Sequence, residues 1–147
     1  MCKKTYKSLI QIVLLIVVLV LFAQNYMIIL VSGQSMEPTL RSMQLLIISR
    51  NSIPEKGDIV VFDTSDYGIC VKRVIAGPGS TVEIKNGQLY VDDIQLLSYK
   101  CSSDHDAIYM IKDNQYFVIG DNYSASIDSR TYGPIPYENI LGIVVFL

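Results

Sequence analysis

Three short segments carry side chains able to do chemistry. Ser35 stands in Ser32-Gly33-Gln34-Ser35-Met36-Glu37-Pro38-Thr39-Leu40, directly after an apolar run. A glycine permits close backbone approach, a small hydroxyl follows, and a proline fixes the exit. That pattern suits a nucleophile and equally an ordinary Ser/Gly/Pro turn. Lys72 lies in Ile69-Cys70-Val71-Lys72-Arg73-Val74-Ile75, where strand alternation puts it on one face with Cys70 and Val74. An ammonium buried among uncharged neighbours loses proton affinity, and a neutral lysine can serve as general base. The plainer role is a lysine that snorkels to solvent. The third segment is Gly120-Asp121-Asn122-Tyr123-Ser124-Ala125-Ser126-Ile127-Asp128-Ser129-Arg130, in which Asp128 and Arg130 can pair and Ser126 can hydrogen-bond a nearby amine. Its plainer reading is a polar surface loop.

Other chemistry is poorly supported. The single histidine, His105, sits in a polar loop at 102–106, where a solvated imidazole is the commoner role. Without it, a Ser-His-Asp triad has no imidazole. There is no Cys-x-x-Cys and no Cys/His cluster, so no metal site and no cofactor is expected. Cys70 and Cys101 can form a disulfide in an oxidising exterior or remain two thiols; spacing does not decide.

The elements that must position these residues read mostly as strands. Met27–Val31 is an apolar run ending at Ser32-Gly33, and Leu45–Ile48 is another. Ile59–Phe62 follows the turn Pro54-Glu55-Lys56-Gly57, and Ile69–Ile75 stops at Gly77-Pro78-Gly79. Asn86-Gly87 between Thr81–Lys85 and Gln88–Val91 is a type I′ hairpin signal. Tyr116–Ile119 and Leu141–Leu147 complete the series. Beyond the N-terminus no helical periodicity exceeds two turns. The expected fold class is therefore mainly β: one N-terminal transmembrane helix followed by an antiparallel, barrel-like β domain.

The N-terminus accounts for an unusual composition. Of 147 residues, 50% are hydrophobic and 18% charged, with a mean hydropathy of +0.35, which excludes disorder. Positions 8–36 are 29 consecutive uncharged residues, preceded by Lys3, Lys4 and Lys7 and followed by a segment of net charge −5. Clustered Lys/Arg suited to nucleic acid is absent. Leu9–Ala23 would cover about 22 Å, and extension from Tyr6 to Tyr26 about 31 Å, enough for a bilayer core of ~30 Å. A cleavable leader competes with this reading, but Gln24-Asn25-Tyr26 offers no small-x-small site. Two parts are expected: 1–26 as cytoplasmic tip and membrane anchor, and 27–147 as an extracytoplasmic domain oriented by the basic tip.

Taken in order, the segments resemble the bacterial type I signal peptidases, membrane-bound Ser–Lys proteases, in their short Gram-positive-like form. The resemblance rests on the anchor, Ser32–Leu40, Lys56–Phe62 (Lys-Gly-Asp-Ile-Val-Val-Phe), Val71–Gly79 (Val-Lys-Arg-Val-Ile-x-Gly-Pro-Gly) and Gly120–Arg130. It implies a signal peptidase-type catalytic domain with Ser35 as nucleophile and Lys72 as general base. Ser126 would orient the Lys72 amine, and Asp128 and Arg130 would hold the loop. It further implies secreted precursors with small residues at −1 and −3 from the cut as substrates, a cell-membrane location and the lipid bilayer as partner. Met36, Leu40, Val31, Ile29 and Val71 are candidate pocket walls, with core packing as their alternative role. The chain departs from the commoner family pattern at Gly33, where some members carry a serine, and at Tyr123 and Ala76. The rival readings are a peptidase dedicated to pilin or conjugation precursors, a self-cleaving Ser–Lys regulator lacking its DNA-binding part, and a catalytically silent membrane-anchored binding module.

Overall fold

In a computed structural model, residues 2–100 and 106–146 are described. Helix α1 (Cys2–Asn25) contains no Gly, Pro, Asp or Glu, so nothing in its sequence interrupts the hydrogen-bond ladder. Lys7–Asn25 within it is long and apolar enough to cross a membrane, and none of that stretch is buried against the rest of the chain. At 1.5 Å per residue those 19 residues extend about 28 Å. The helix passes straight into strand β1 (Tyr26–Leu30) without an intervening turn.

The remaining strands are β2 (Leu45–Ser49), β3 (Ile59–Thr64), β4 (Gly68–Ala76), β5 (Thr81–Lys85), β6 (Gln88–Val91), β7 (Ile94–Lys100), β8 (Ala107–Met110), β9 (Gln115–Ile119), β10 (Ile135–Pro136) and β11 (Ile140–Phe146), with a one-turn helix α2 (Ser129–Tyr132) before β10. Among the described residues they form a seven-stranded sheet, β1-β2-β11-β3-β4-β9-β10, and a four-stranded sheet, β7-β6-β5-β8. All pairings are antiparallel. The fold is mainly β, as the sequence predicts. Asn86 and Gly87 both adopt positive φ, 51° and 70°, the geometry a type I′ turn requires.

Strand β4 links the two sheets. Its register slips between Val74 and Ala76, so Val74, Ile75 and Ala76 are all buried and simple alternation ends there. Val74 packs with Val60, Phe62 and Val118 inside the large sheet. Ile75 and Ala76 turn instead toward Val82, Ile84, Leu89 and Phe117, the core shared with the small sheet. A third cluster, Val31, Met36, Leu40, Leu46 and Ile59, lies under the turn that follows β1. Strands β7, β8 and β10 escape the sequence reading: β10 is two residues long, and β7 and β8 are the outer strands of the small sheet.

Candidate active site

The turn bearing Ser35 is fixed from both sides. Val31 N–H donates to the Gln44 carbonyl and Met43 N–H to the Val31 carbonyl, each at 2.9 Å, extending the β1–β2 ladder past the strand ends. Gly33 takes φ +95°, a conformation glycine adopts without steric cost. Met36 and Leu40 then anchor the far side of the turn in the third core cluster.

Lys72 enters from β4, opposite Val60 of β3, and is 4% exposed. Its Nζ lies 2.7 Å from Ser35 Oγ as hydrogen-bond donor. Burial lowers the Lys72 pKa; the nearby Cys70 and Asp128 oppose that shift, and Arg130 adds to it. Removal of the ammonium proton leaves a lone pair at hydrogen-bonding distance from the hydroxyl, the arrangement a general base needs.

The loop at 120–130 packs against the Ser35 turn. Asp128 is fully buried. Its Oδ2 accepts from Gly120 N–H at 3.0 Å, Ser126 Oγ–H at 2.7 Å and Arg130 Nη2 at 2.8 Å. Its Oδ1 accepts from Arg130 Nε at 2.8 Å. Arg130 also reaches the carbonyls of Tyr123 (2.9 Å) and Ser126 (3.3 Å). The expected Asp128–Arg130 brace is thus present. The Ser126 hydroxyl donates to Asp128. Gly120 packs so closely that a Cβ there would meet the Ser35 carbonyl oxygen at 2.5 Å and collide with Ser126 Oγ.

Several supporting residues carry no mark in local sequence. Asn122 ties the loop to the Ser35 turn, its N–H donating to the Ser35 carbonyl and its Nδ2 to the Gln34 carbonyl, both at 3.0 Å. Arg73 holds Asp121 through two bonds of 2.8 and 2.7 Å and donates to the Gly57 carbonyl at 2.7 Å. Burial alone would raise the Asp121 pKa, but hydrogen bonds from Arg73 and Thr39 outweigh it and hold the carboxyl below its ordinary range. Ser129 Oγ accepts from the buried Val118 N–H at 3.0 Å. In the sequence, Arg73 stands within the Ile69–Ile75 strand beside Lys72, and Asp121 in a Gly-Asp-Asn turn, with nothing local to pair the two.

Ser35 and Lys72 open onto a cleft of about 430 Å³ between β1 and β4. Ile29, Val31, Met36 and Val71 line it, as four of the five pocket candidates require. Leu40 is a correction: fully buried with Leu46 and Ile59, it packs beneath the cleft and is not part of the wall. Tyr67, Ile69 and Cys70 also line the cleft, and alternation does not reveal them because their partner wall comes from β1. Cys70 is a free thiol; Cys101 and His105 lie outside the described residues. Among the described residues, no group of three or more His, Cys, Asp or Glu could hold a metal ion.

Residues 2–147 match the family described as signal peptidase, peptidase S26. The chain is 36% identical over 135 residues to signal peptidase I V of Bacillus subtilis, covering 78% of this chain and 80% of that protein. It is 33% identical over 141 residues to signal peptidase IB of Staphylococcus aureus, covering 79% and 74% respectively. A crystal structure of a signal peptidase I from Enterococcus faecalis superimposes with a TM-score of 0.51 at 26% identity, covering 64% of this chain and 98% of that one.

Proposed function

This chain belongs to the signal peptidase, peptidase S26, family, and from that premise we propose that it cleaves signal peptides from secreted precursors with Ser35 as nucleophile and Lys72 as general base. The observation that carries the assignment is the 2.7 Å contact between Lys72 Nζ and Ser35 Oγ, made by a lysine almost fully withdrawn from water.

The chemistry runs without an imidazole. Neutral Lys72 takes the Ser35 proton as Oγ bonds to the scissile carbonyl carbon, giving a tetrahedral oxyanion and a Lys72 ammonium. Backbone N–H groups of the turn around Ser35 stabilise the oxyanion; Gly33 offers no side-chain donor for it. The ammonium then protonates the departing amine as the C–N bond breaks. Lys72, neutral again, deprotonates the water that hydrolyses the acyl-enzyme. Asp128, Arg130 and Ser126 act at one remove, holding the loop that packs against Ser35.

The substrate reading follows from the edges of the cleft. Strand β1 is an outer strand of the large sheet, and β4 pairs with β9 only from Arg73 onward, so among the described residues Ile69–Lys72 have no strand partner on that side. An extended precursor segment can add to these unpaired edges, with alternate side chains facing Ile29, Val31, Met36 and Val71. The low, aliphatic floor favours small residues beside the cut. Lys7–Asn25 serves as the bilayer anchor, with the basic tip at 3–7 on the cytoplasmic side and the acidic β domain outside.

Cleavage of a purified precursor by the chain in detergent tests this function. Ser35→Ala and Lys72→Ala are each expected to lower turnover by about 10⁴-fold or more. Near-normal cleavage by either variant would refute the assignment.

A further inference from the structure

The junction between α1 and β1 is fastened to the β domain. The last turn of a helix leaves its carbonyls without partners inside the helix. Here the Asn25 carbonyl accepts from Arg50 N–H at 2.9 Å, and Asn25 Oδ1 accepts from Asn51 Nδ2 at 2.7 Å. Asn25 Nδ2 in turn donates to the Leu21 carbonyl at 2.8 Å. Arg50 Nη2 lies 3.1 Å from Met27 Sδ, and Phe22 stacks on Tyr26 across the junction with ring centroids 5.0 Å apart. Tyr26 pairs directly with Ser49. The segment after β2 therefore grips the helix end, and no linker residue separates helix from strand.

We propose that Asn25 and Asn51, with Arg50, form a clamp that sets the height of Ser35 above the bilayer and so selects precursors by the distance between their apolar segment and the cut. This rests on the anchored-peptidase reading above. Five residues of β1, about 17 Å of strand at 3.3–3.4 Å each, lead from the helix end toward the turn that carries Ser35. A hinge at Asn25 would let the cleft sample many heights; a clamped junction holds one. A precursor anchored in the same bilayer by its own apolar segment reaches the cleft only when its spacer matches that height. Asn25 and Asn51 are positioning residues, remote from the reacting atoms.

The test uses the full chain in phosphatidylethanolamine–phosphatidylglycerol liposomes. The substrates are precursors bearing zero, two, four or six Gly/Ser residues inserted between apolar segment and cut, and a short water-soluble peptide spanning the cut. Asn51→Asp removes the donor to Asn25 Oδ1. A Gly-Gly-Ser insertion between Asn25 and Tyr26 uncouples the junction outright. For the unsubstituted chain, kcat/KM should fall by about tenfold or more from the best spacer to the worst, since misplacement by ångströms costs orders of magnitude. Asn51→Asp and the insertion should flatten that profile to within about threefold while cleaving the soluble peptide normally. An unsubstituted profile already flat, or variants keeping the sharp profile, would overturn the clamp. So would parallel loss of soluble-peptide cleavage in both altered chains, which marks a purely structural role. Failure of the unsubstituted chain to cleave either substrate would remove the peptidase reading itself.

Discussion

Two arginine–aspartate forks flank the Ser35–Lys72 pair, and they differ in what surrounds them. Arg130 and Asp128 lie within a single loop, with side-chain exposures of 10% and 0%. Arg73 and Asp121 join β4 to the start of that loop, with exposures of 26% and 11%. The geometry is alike, two short parallel bonds in each case. The dry fork has no water to take over if it fails, and its carboxylate also serves Gly120 N–H and Ser126 Oγ–H. The wetter fork can be rehydrated when cut. Identical chemistry thus makes a structural keystone in one place and an adjustable brace in the other.

The largest effect should follow from breaking the dry fork. Asp128→Ala leaves the Arg130 guanidinium without its carboxylate and strips partners from three other donors, Gly120 N–H, Ser126 Oγ–H and the Arg130 backbone N–H, so we expect a loss of about 3–5 kcal/mol in urea unfolding. Cleavage should fall with it, because the loop that packs on Ser35 loosens. A loss no larger than that of the wetter fork would erase the distinction.

Next is Asp121→Asn, which weakens the charge-assisted bonds with Arg73 and should lower stability by about 1–2 kcal/mol at neutral pH. Its pH signature is sharper. The folded-state pKa of Asp121 lies below its unfolded value, so its contribution is complete above the unfolded pKa and disappears as pH falls through the folded one. In the variant, the difference from the parent chain should shrink on acidification; a constant difference down to low pH would show that the carboxylate is not the source.

Lys72 gives the smallest stability effect, with the same pH direction as Asp121 but from burial rather than pairing. Its folded pKa lies below the unfolded value, so the unfolded chain binds the extra proton and stability rises with pH between those two values. Lys72→Met should abolish cleavage yet leave thermal stability at neutral pH equal or slightly higher, as expected when a buried amine gives way to an apolar side chain of similar length. The parent chain's cleavage should decline on acidification as the amine is protonated. A clear drop in melting temperature for Lys72→Met would mean the amine stabilises the fold.

The forks also mark where sequence stops being informative. Asp128–Arg130 was legible because the partners are two residues apart, whereas Arg73–Asp121 spans 48 residues and depends on β4 and β9 being neighbours. The Asn86-Gly87 hairpin was legible because backbone sterics dictate it locally. The Lys72–Ser35 contact joins positions 37 apart, and resemblance rather than spacing pointed to it. Ser126 was expected beside an amine, and its bond to Asp128 is visible only in the folded loop. Leu40 had pocket wall and core packing as alternative roles, and the fold gives it the second, beneath the cleft with Leu46 and Ile59.

Strand β11 lies between β2 and β3, although residues 140–146 are made some eighty positions after β3. Before those residues emerge, no strand joins the β1–β2 hairpin, whose connection carries Ser35, to the strands that bear Lys72; the two are linked by packing such as that of Ile59 against Val31, Met36, Leu40 and Leu46. The 2.7 Å contact between Ser35 and Lys72 thus spans a sheet whose middle strand is the last part of it to be made.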